Sequence, residues 1–330
     1  MKNYTLIDYA KLFFAVCIVV IHTDVFLSTR LSSWMILHGI CRLAVPFFFI
    51  TSGFFFGKKL LKSKNIKQDL VKYCKRLFVP FCFWLILDYY HLYSIVNGTG
   101  NLFLKTIQYL IFCPWGAMWY VLALLVSVPI VTFFYKKDKL KLLWFISIFL
   151  YFFALLCNSY YFLIDSTPFK TIIDKYMEIA ITGRNGIFFA LFFVTTGVII
   201  SKYENKINFK INNILLPIFY IIFIVEILLI KGSSYLDDHS LFISFLFLIP
   251  SLLLFTLQFI SKKDTTKIRN YSTGIYFSHR FILICLTLIL LLFNITLSNI
   301  IIFFIVIVID VLLLTVLYKI DNKWINKVIK

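Results

Sequence analysis

Acidic residues are scarce in this chain: 15 Asp and Glu stand against 33 Lys and Arg among 330 residues. Charge of either sign is thin, at 15% of positions, while 61% of positions are hydrophobic. Soluble domains run near ~25% charged and ~45–50% apolar, so this balance excludes an ordinary water-soluble globule and points to a polytopic membrane protein. The net charge of +18 does not indicate a nucleic-acid partner, because the cations fall in short runs between apolar segments and form no single basic face. The seven cysteines are scattered without a CxxC pair, which indicates neither a disulfide framework nor a zinc site, and no metal is expected. GxSxG, a Walker loop, HExxH and a dinucleotide fingerprint are all absent, which removes the common soluble-enzyme signatures. No internal repeat, cleavable leader or soluble second domain is evident, so residues 1–330 read as one transmembrane domain.

Ten apolar stretches are long enough to span a bilayer, which takes ~20 residues. They fall at about 5–28, 34–57, 77–96, 115–135, 142–162, 186–201, 211–230, 240–260, 271–293 and 299–318. With the N-terminus on the cytoplasmic side, inner segments hold 24 of the 33 Lys and Arg, outer segments hold six, and three lie within spans. That asymmetry satisfies the positive-inside rule. The expected fold is therefore all-α, with about ten transmembrane helices and both termini cytoplasmic. The only long inner loop, 58–76, is a lysine-rich amphipathic segment that reads as an anchor to anionic lipid. Two outer connections, 97–114 and 163–185, are long enough to select a ligand.

The first span, residues 5–28, carries Asp8, Lys11, His22 and Asp24. An ionisable group near the middle of a span costs about 2.5–3.5 kcal/mol on insertion scales, so such residues face a protein interior or a wet cavity. Lys11 and His22 are eleven residues apart. At ~100° per residue they share one stripe, with roughly 16 Å of rise between them. At the inner end, Lys11 and Arg76, with Lys72 and Lys75 nearby, form a cationic mouth suited to a phosphate-bearing ligand. Lys72 and Lys75 also fit ordinary snorkelling.

The outer half holds His22, Asp24, Arg42, Asp88 and Glu226. Arg42 needs a carboxylate or a cavity, and Pro46 beside it can open the helix backbone. A structural bridge from Arg42 to Asp or Glu is the plainer alternative. His279 and Arg280 can complete the cavity wall, and Asp310 reads as a partner for one of the cations. Trp115, Trp119 and Tyr120 fit an interfacial aromatic belt, with Trp119 also a candidate acceptor contact.

Several segments together resemble the acyltransferase-3 family of integral membrane acyltransferases. In order these are IDYAKLFFAVCIVVIHTDVF, CRLAVPFFFITSGFFFGKKL, KRLFVPF, WGAMWYVLALL, RNGIFFALFFVTTGVII and YSTGIYFSHRF. The resemblance implies ten helices in a bacterial cytoplasmic membrane. It implies acyl-CoA, usually acetyl-CoA, as donor, and a hydroxyl of an extracytoplasmic cell-surface glycan or lipid-linked sugar as acceptor. By position, His22 matches the catalytic histidine, Lys11 its basic partner and Arg76 the arginine of the third-helix motif. The first arginine of that RxxR motif falls on Tyr73, and lysine at 11 keeps the charge but loses the bidentate fork. CoA phosphates near Lys11 and Arg76 would let the pantetheine arm carry the thioester to His22. There the imidazole would act as general base or, alternatively, take the acyl group itself. Arg42 would stabilise the oxyanion or hold an acidic acceptor, and Asp24 is a candidate orienter of the imidazole. CRLAVPFFF with VVIHT also resembles the membrane half of vancomycin-resistance serine racemases. That likeness implies, as the alternative function, carriage of an amino acid such as serine; without the soluble racemase half, a coupled role is not expected.

Overall fold

The computed structural model describes residues 3–26, 30–87, 102–112, 117–236, 238–320 and 322–329. The fold is all-α. Among the described residues the only extended pairing is an isolated bridge between Tyr4 and Ile260. Fourteen α-helices follow one another among the described residues: α1 (Thr5–His22), α2 (Leu31–Gly39), α3 (Ala44–Leu60), α4 (Ile66–Leu87), α5 (Leu102–Phe112), α6 (Trp119–Lys136) and α7 (Leu140–Leu156). They continue with α8 (Phe169–Ala180), α9 (Leu191–Tyr203), α10 (Phe209–Leu229), α11 (Phe245–Leu257), α12 (Thr266–Leu292), α13 (Asn299–Ile320) and α14 (Lys323–Ile329). Among the described residues seven helical stretches are long and apolar enough to cross a bilayer, and α7 and α11 are shorter apolar helices of 17 and 13 residues. Each of the ten apolar stretches in the sequence overlaps a helix.

Burial sorts the helices into a centre and a rim. The α2–α3 stretch and the α9 stretch each have 72% of their central window buried, whereas α10 and α13 have 17%. The outer pair is also the most apolar, with mean hydropathy of 2.2 and 3.4, as expected of helices whose surroundings are lipid. At the centre α3 and α9 approach through small residues. A Cβ added at Gly197 would stand 2.2 Å from the Ile50 carbonyl oxygen, and one at Gly53 would stand 2.3 Å from that of Val194. Only glycine allows the two backbones this close.

Two spans differ from the sequence reading. The stretch expected as one helix over 34–57 breaks after Gly39, passes through a 3₁₀ turn at Cys41–Leu43 and resumes at Ala44. Pro46 sits in the first turn of α3, where its missing N–H leaves no bond unmade. The break frees backbone polar groups at membrane depth, which requires protein or a wet cavity around them. The inner segment 58–76 is not a loop: α3 continues to Leu60, the chain turns, and α4 starts at Ile66 and runs on into the membrane. No glycine or proline intervenes before Pro80 to stop it. The outer connections at 97–114 and 163–185 contain α5 and α8 respectively.

Candidate functional site: two cavities that meet at an aromatic wall

The stripe of α1 opens into two cavities. The inner one, about 250 Å³, is lined by Lys11, Ser52, Tyr73, Arg76, Arg269 and Tyr276 among others. The outer one, about 360 Å³, is lined by His22, Asp24, Arg42, Trp119, Arg184 and Arg280 among others. Tyr120 and Tyr276 line both. Their rings meet edge-on with centroids 5.3 Å apart, so this pair is the wall between the compartments. Both are fixed by hydrogen bonds. The Tyr276 hydroxyl donates to the Ala117 carbonyl, while the Tyr120 hydroxyl lies 3.0 Å from Ser52 Oγ and donates to the Phe48 carbonyl at 3.3 Å.

Three cations converge on the inner cavity. Lys11 Nζ stands 5.0 Å from the centre of the Phe55 ring, and the Arg76 guanidinium stands 5.5 Å from that of Tyr73. Arg269 enters from the first turn of α12, with Nη2 donating to Thr266 Oγ1 at 3.2 Å. Asp8, one turn before Lys11, is buried and accepts from Thr265 Oγ1 at 2.6 Å, pinning the inner end of α1 to the start of α12. Lys72 and Lys75 do not line this cavity; both are exposed.

In the outer cavity His22 is the last residue of α1. Its ring is stacked on His279 of α12 with centroids 5.3 Å apart. His279 is fully buried, and its Nδ1 lies 2.8 Å from the Ile275 carbonyl one turn back. Only a donor satisfies a carbonyl, so Nδ1 carries the proton and Nε2 holds a lone pair. His279 therefore backs His22 from behind the cavity surface. Arg280, the next residue, reaches the cavity itself.

Opposite them Asp238 joins two arginines, with Arg42 Nη2 at 3.0 Å and Arg184 Nη1 at 3.2 Å. Asn158 Nδ2 adds a hydrogen bond to the same carboxylate at 3.3 Å. Burial pushes the Asp238 carboxyl up, but Arg184 and Arg42 outweigh it and hold the group below the usual carboxylate range. The Arg184 guanidinium also lies 5.6 Å from the Trp119 ring centre. The partner of Arg42 is thus a loop aspartate outside the apolar spans.

Several expected site residues lie elsewhere or play a different part. Glu226 lines neither cavity. It accepts from the Tyr160 hydroxyl and from the backbone N–H groups of Ile243 and Ser244, at 2.5 and 2.9 Å, just before α11. Its carboxylate therefore satisfies a helix start. Asp310 accepts from the Ser278 hydroxyl of α12 and pairs with no cation among the described residues. Asp24 reaches the cavity rim, but α1 ends at His22 and the chain turns through Asp24 in the left-handed region (φ 53°). No hydrogen bond joins Asp24 to His22 among the described residues, and the aspartate is exposed, so it does not orient the imidazole. Asp88 lies outside the described residues.

Arg269, Arg184 and Asp238 were not singled out from the sequence as site residues. Arg269 had a signal: it precedes Arg280 by eleven residues on α12, the same step that separates Lys11 from His22 on α1. The two helices pack against each other, and each presents one cation to the inner cavity and one nitrogen base or cation to the outer.

The site defines a membrane-embedded protein whose compartments approach one wall from opposite ends of the bundle. The sequence matches the Acyl_transf_3 family profile, described as an acyltransferase domain, over residues 4–319, and the chain belongs to that family. Two curated proteins from Enterococcus faecalis, each named amino-acid racemase, are similar to it. One is 27% identical over 213 residues, covering 63% of this chain and 30% of the relative. The other is 26% identical over 294 residues, covering 84% of this chain and 41% of the relative. The chain thus matches less than half the length of either relative. No solved structure matches it significantly.

Proposed function

We propose that the protein is a membrane O-acyltransferase that takes an acyl group, in the first instance acetyl, from cytoplasmic acyl-CoA. It delivers that group to a hydroxyl of an extracytoplasmic cell-surface glycan, across a bacterial cytoplasmic membrane. The observation that carries this reading is the pair of cavities on one stripe of α1, cationic at Lys11 and bearing an imidazole at His22, which share the Tyr120–Tyr276 wall. In this scheme the CoA phosphates rest against Lys11, Arg76 and Arg269 through charge-assisted hydrogen bonds. The pantetheine arm displaces the two tyrosine rings and presents the thioester to the outer side. His22 removes the proton from the acceptor hydroxyl as that oxygen attacks the thioester carbonyl. Arg42 and Arg280 stabilise the oxyanion that forms. The C–S bond then breaks, the ester stays with the acceptor, and the imidazolium returns its proton to the CoA sulfur.

Replacing His22 with Ala should abolish acetyl-CoA hydrolysis and transfer by the purified protein while its thermal unfolding stays near that of the wild type. Full turnover by a folded H22A protein would remove the mechanism. The resemblance of CRLAVPFFF and VVIHT to the membrane half of vancomycin-resistance serine racemases supports a second reading, carriage of a small amino acid such as serine. The closed Tyr120–Tyr276 wall counts against an open conduit, and serine uptake into proteoliposomes with no effect of CoA would establish the carrier instead.

A further inference from the structure

A third cavity, about 520 Å³, adjoins the outer one and shares Phe26, Leu37, Arg42 and Asp238 with it. The two are lobes of one outer compartment. The walls of the new lobe come from α2 and from the connection between α10 and α11. Trp34 is fixed there, its Nε1 donating to the Ile227 carbonyl at 3.1 Å, with the His38 ring centroid 3.9 Å away. His38 in turn bonds through Nδ1 to the His239 carbonyl at 2.7 Å, tying α2 to the connection. Tyr235 stands at the mouth, 53% exposed, its ring 4.3 Å from that of His239.

Two buried nitrogens among the lobe's lining residues have no hydrogen-bond partner among the described residues, Arg42 Nε and His239 Nδ1. His239 is only 4% exposed. A buried polar atom without a partner is costly and calls for a ligand group or water to complete it. A hydroxyl both donates and accepts, so it matches the His239 nitrogen in either tautomer. The open face of Tyr235 suits an apolar C–H surface. A sugar ring combines the two, with C–H groups on its face and hydroxyls around its edge. The lobe lies within the ~300–1,000 Å³ that encloses ligands of drug size, far more room than a free amino acid needs.

We propose that the lobe between Trp34, Tyr235 and His239 is the acceptor subsite and holds a saccharide ring, whose neighbouring unit presents its hydroxyl to His22 past the Arg42–Asp238 pair. This rests on the acyl-transfer reading for what happens at His22, though not for binding. It assigns acceptor choice to α2 and the α10–α11 connection, and not to the outer connections at 97–114 and 163–185.

The test uses the full chain in nanodiscs, titrated calorimetrically with a panel of mono- and disaccharides, with serine, and with a non-hydrolysable acetyl-CoA thioether. At least one saccharide should bind saturably to the wild type, and about tenfold more weakly to Y235A and to H239Q. Thioether binding at the inner cavity reports on folding in each variant. Tyr235 is exposed enough that Y235A keeps the fold even if H239Q does not. The proposal is overturned if no saccharide of the panel binds, if binding is equal in wild type and Y235A, or if serine binds and Y235A removes it. Saccharide binding that follows this pattern without any thioether binding would sink the acyl-CoA reading and leave the subsite standing.

Discussion

Replacing Asp238 with Asn removes one negative charge from between two guanidinium groups. The change is nearly isosteric, and the amide oxygen still accepts from Asn158. Arg42 and Arg184, at 3.0 and 3.2 Å from the carboxylate, are left facing each other across it. Breaking a fully buried pair by removing one partner costs about 3–5 kcal/mol, whereas exposed pairs are worth about 0.2–1 kcal/mol. The side chains of Arg42, Arg184 and Asp238 are 13%, 21% and 28% exposed, so the triad falls between these limits, at about 2–3 kcal/mol. At roughly 2–4 °C per kcal/mol, thermal unfolding in detergent should fall by about 4–12 °C in D238N. The double variant R184Q/D238N restores the charge balance around Arg42 and should recover part of that loss, a coupling of about 0.5–3 kcal/mol. The pH dependence has a definite sign. The folded carboxyl is held below its usual range, so its contribution is present above the ordinary aspartate value near ~3.9 and is lost as pH falls further. The gap between wild type and D238N should therefore be constant from neutral pH down to that value and close beneath it. An unchanged Tm in D238N, or strictly additive effects in the double variant, would refute the triad.

Two further outcomes follow from the same geometry. Lys11→Ala should raise the KM for acetyl-CoA about 10- to 100-fold, the value of one lost charge-assisted hydrogen bond to phosphate. Lys11→Arg should keep most of the affinity, and steady-state kinetics at fixed acceptor distinguish the two. Gly197→Ala places a methyl 2.2 Å from the Ile50 carbonyl; overpacking of this kind costs about 1–3 kcal/mol, so Tm should drop, and an unchanged Tm would contradict the close approach of α3 and α9.

The helical class and the first-span stripe were legible because both rest on local regularities, apolar run length and an eleven-residue step. The break at residues 40–43 was partly legible, since Pro46 marked a place where the backbone opens, but Gly39 just before it gave no separate sign. The continuous α4 was hidden by its lysines, which read as a loop although nothing in the segment interrupts a helix. That Arg42 would bridge to a carboxylate was legible, and it does; that the carboxylate is Asp238, shared with Arg184, was not. The members of this triad lie on two connections and a broken helix, separated by up to 196 positions, and only packing brings them together. Glu226 shows the converse error. A carboxylate within a span looked like a ligand for substrate, yet it serves the unpaired N–H groups that precede α11. That need is invisible until the neighbouring helix start is placed.

A cryo-EM structure with the acetyl-CoA thioether bound measures the donor path directly. The expected density sets the CoA phosphates against Lys11, Arg76 and Arg269, with the tail between displaced Tyr120 and Tyr276 rings and the acetyl group within hydrogen-bonding reach of His22. Density for the nucleotide away from that cationic mouth, or a tail that turns back below an intact tyrosine pair, would contradict acyl transfer along the stripe of the first helix.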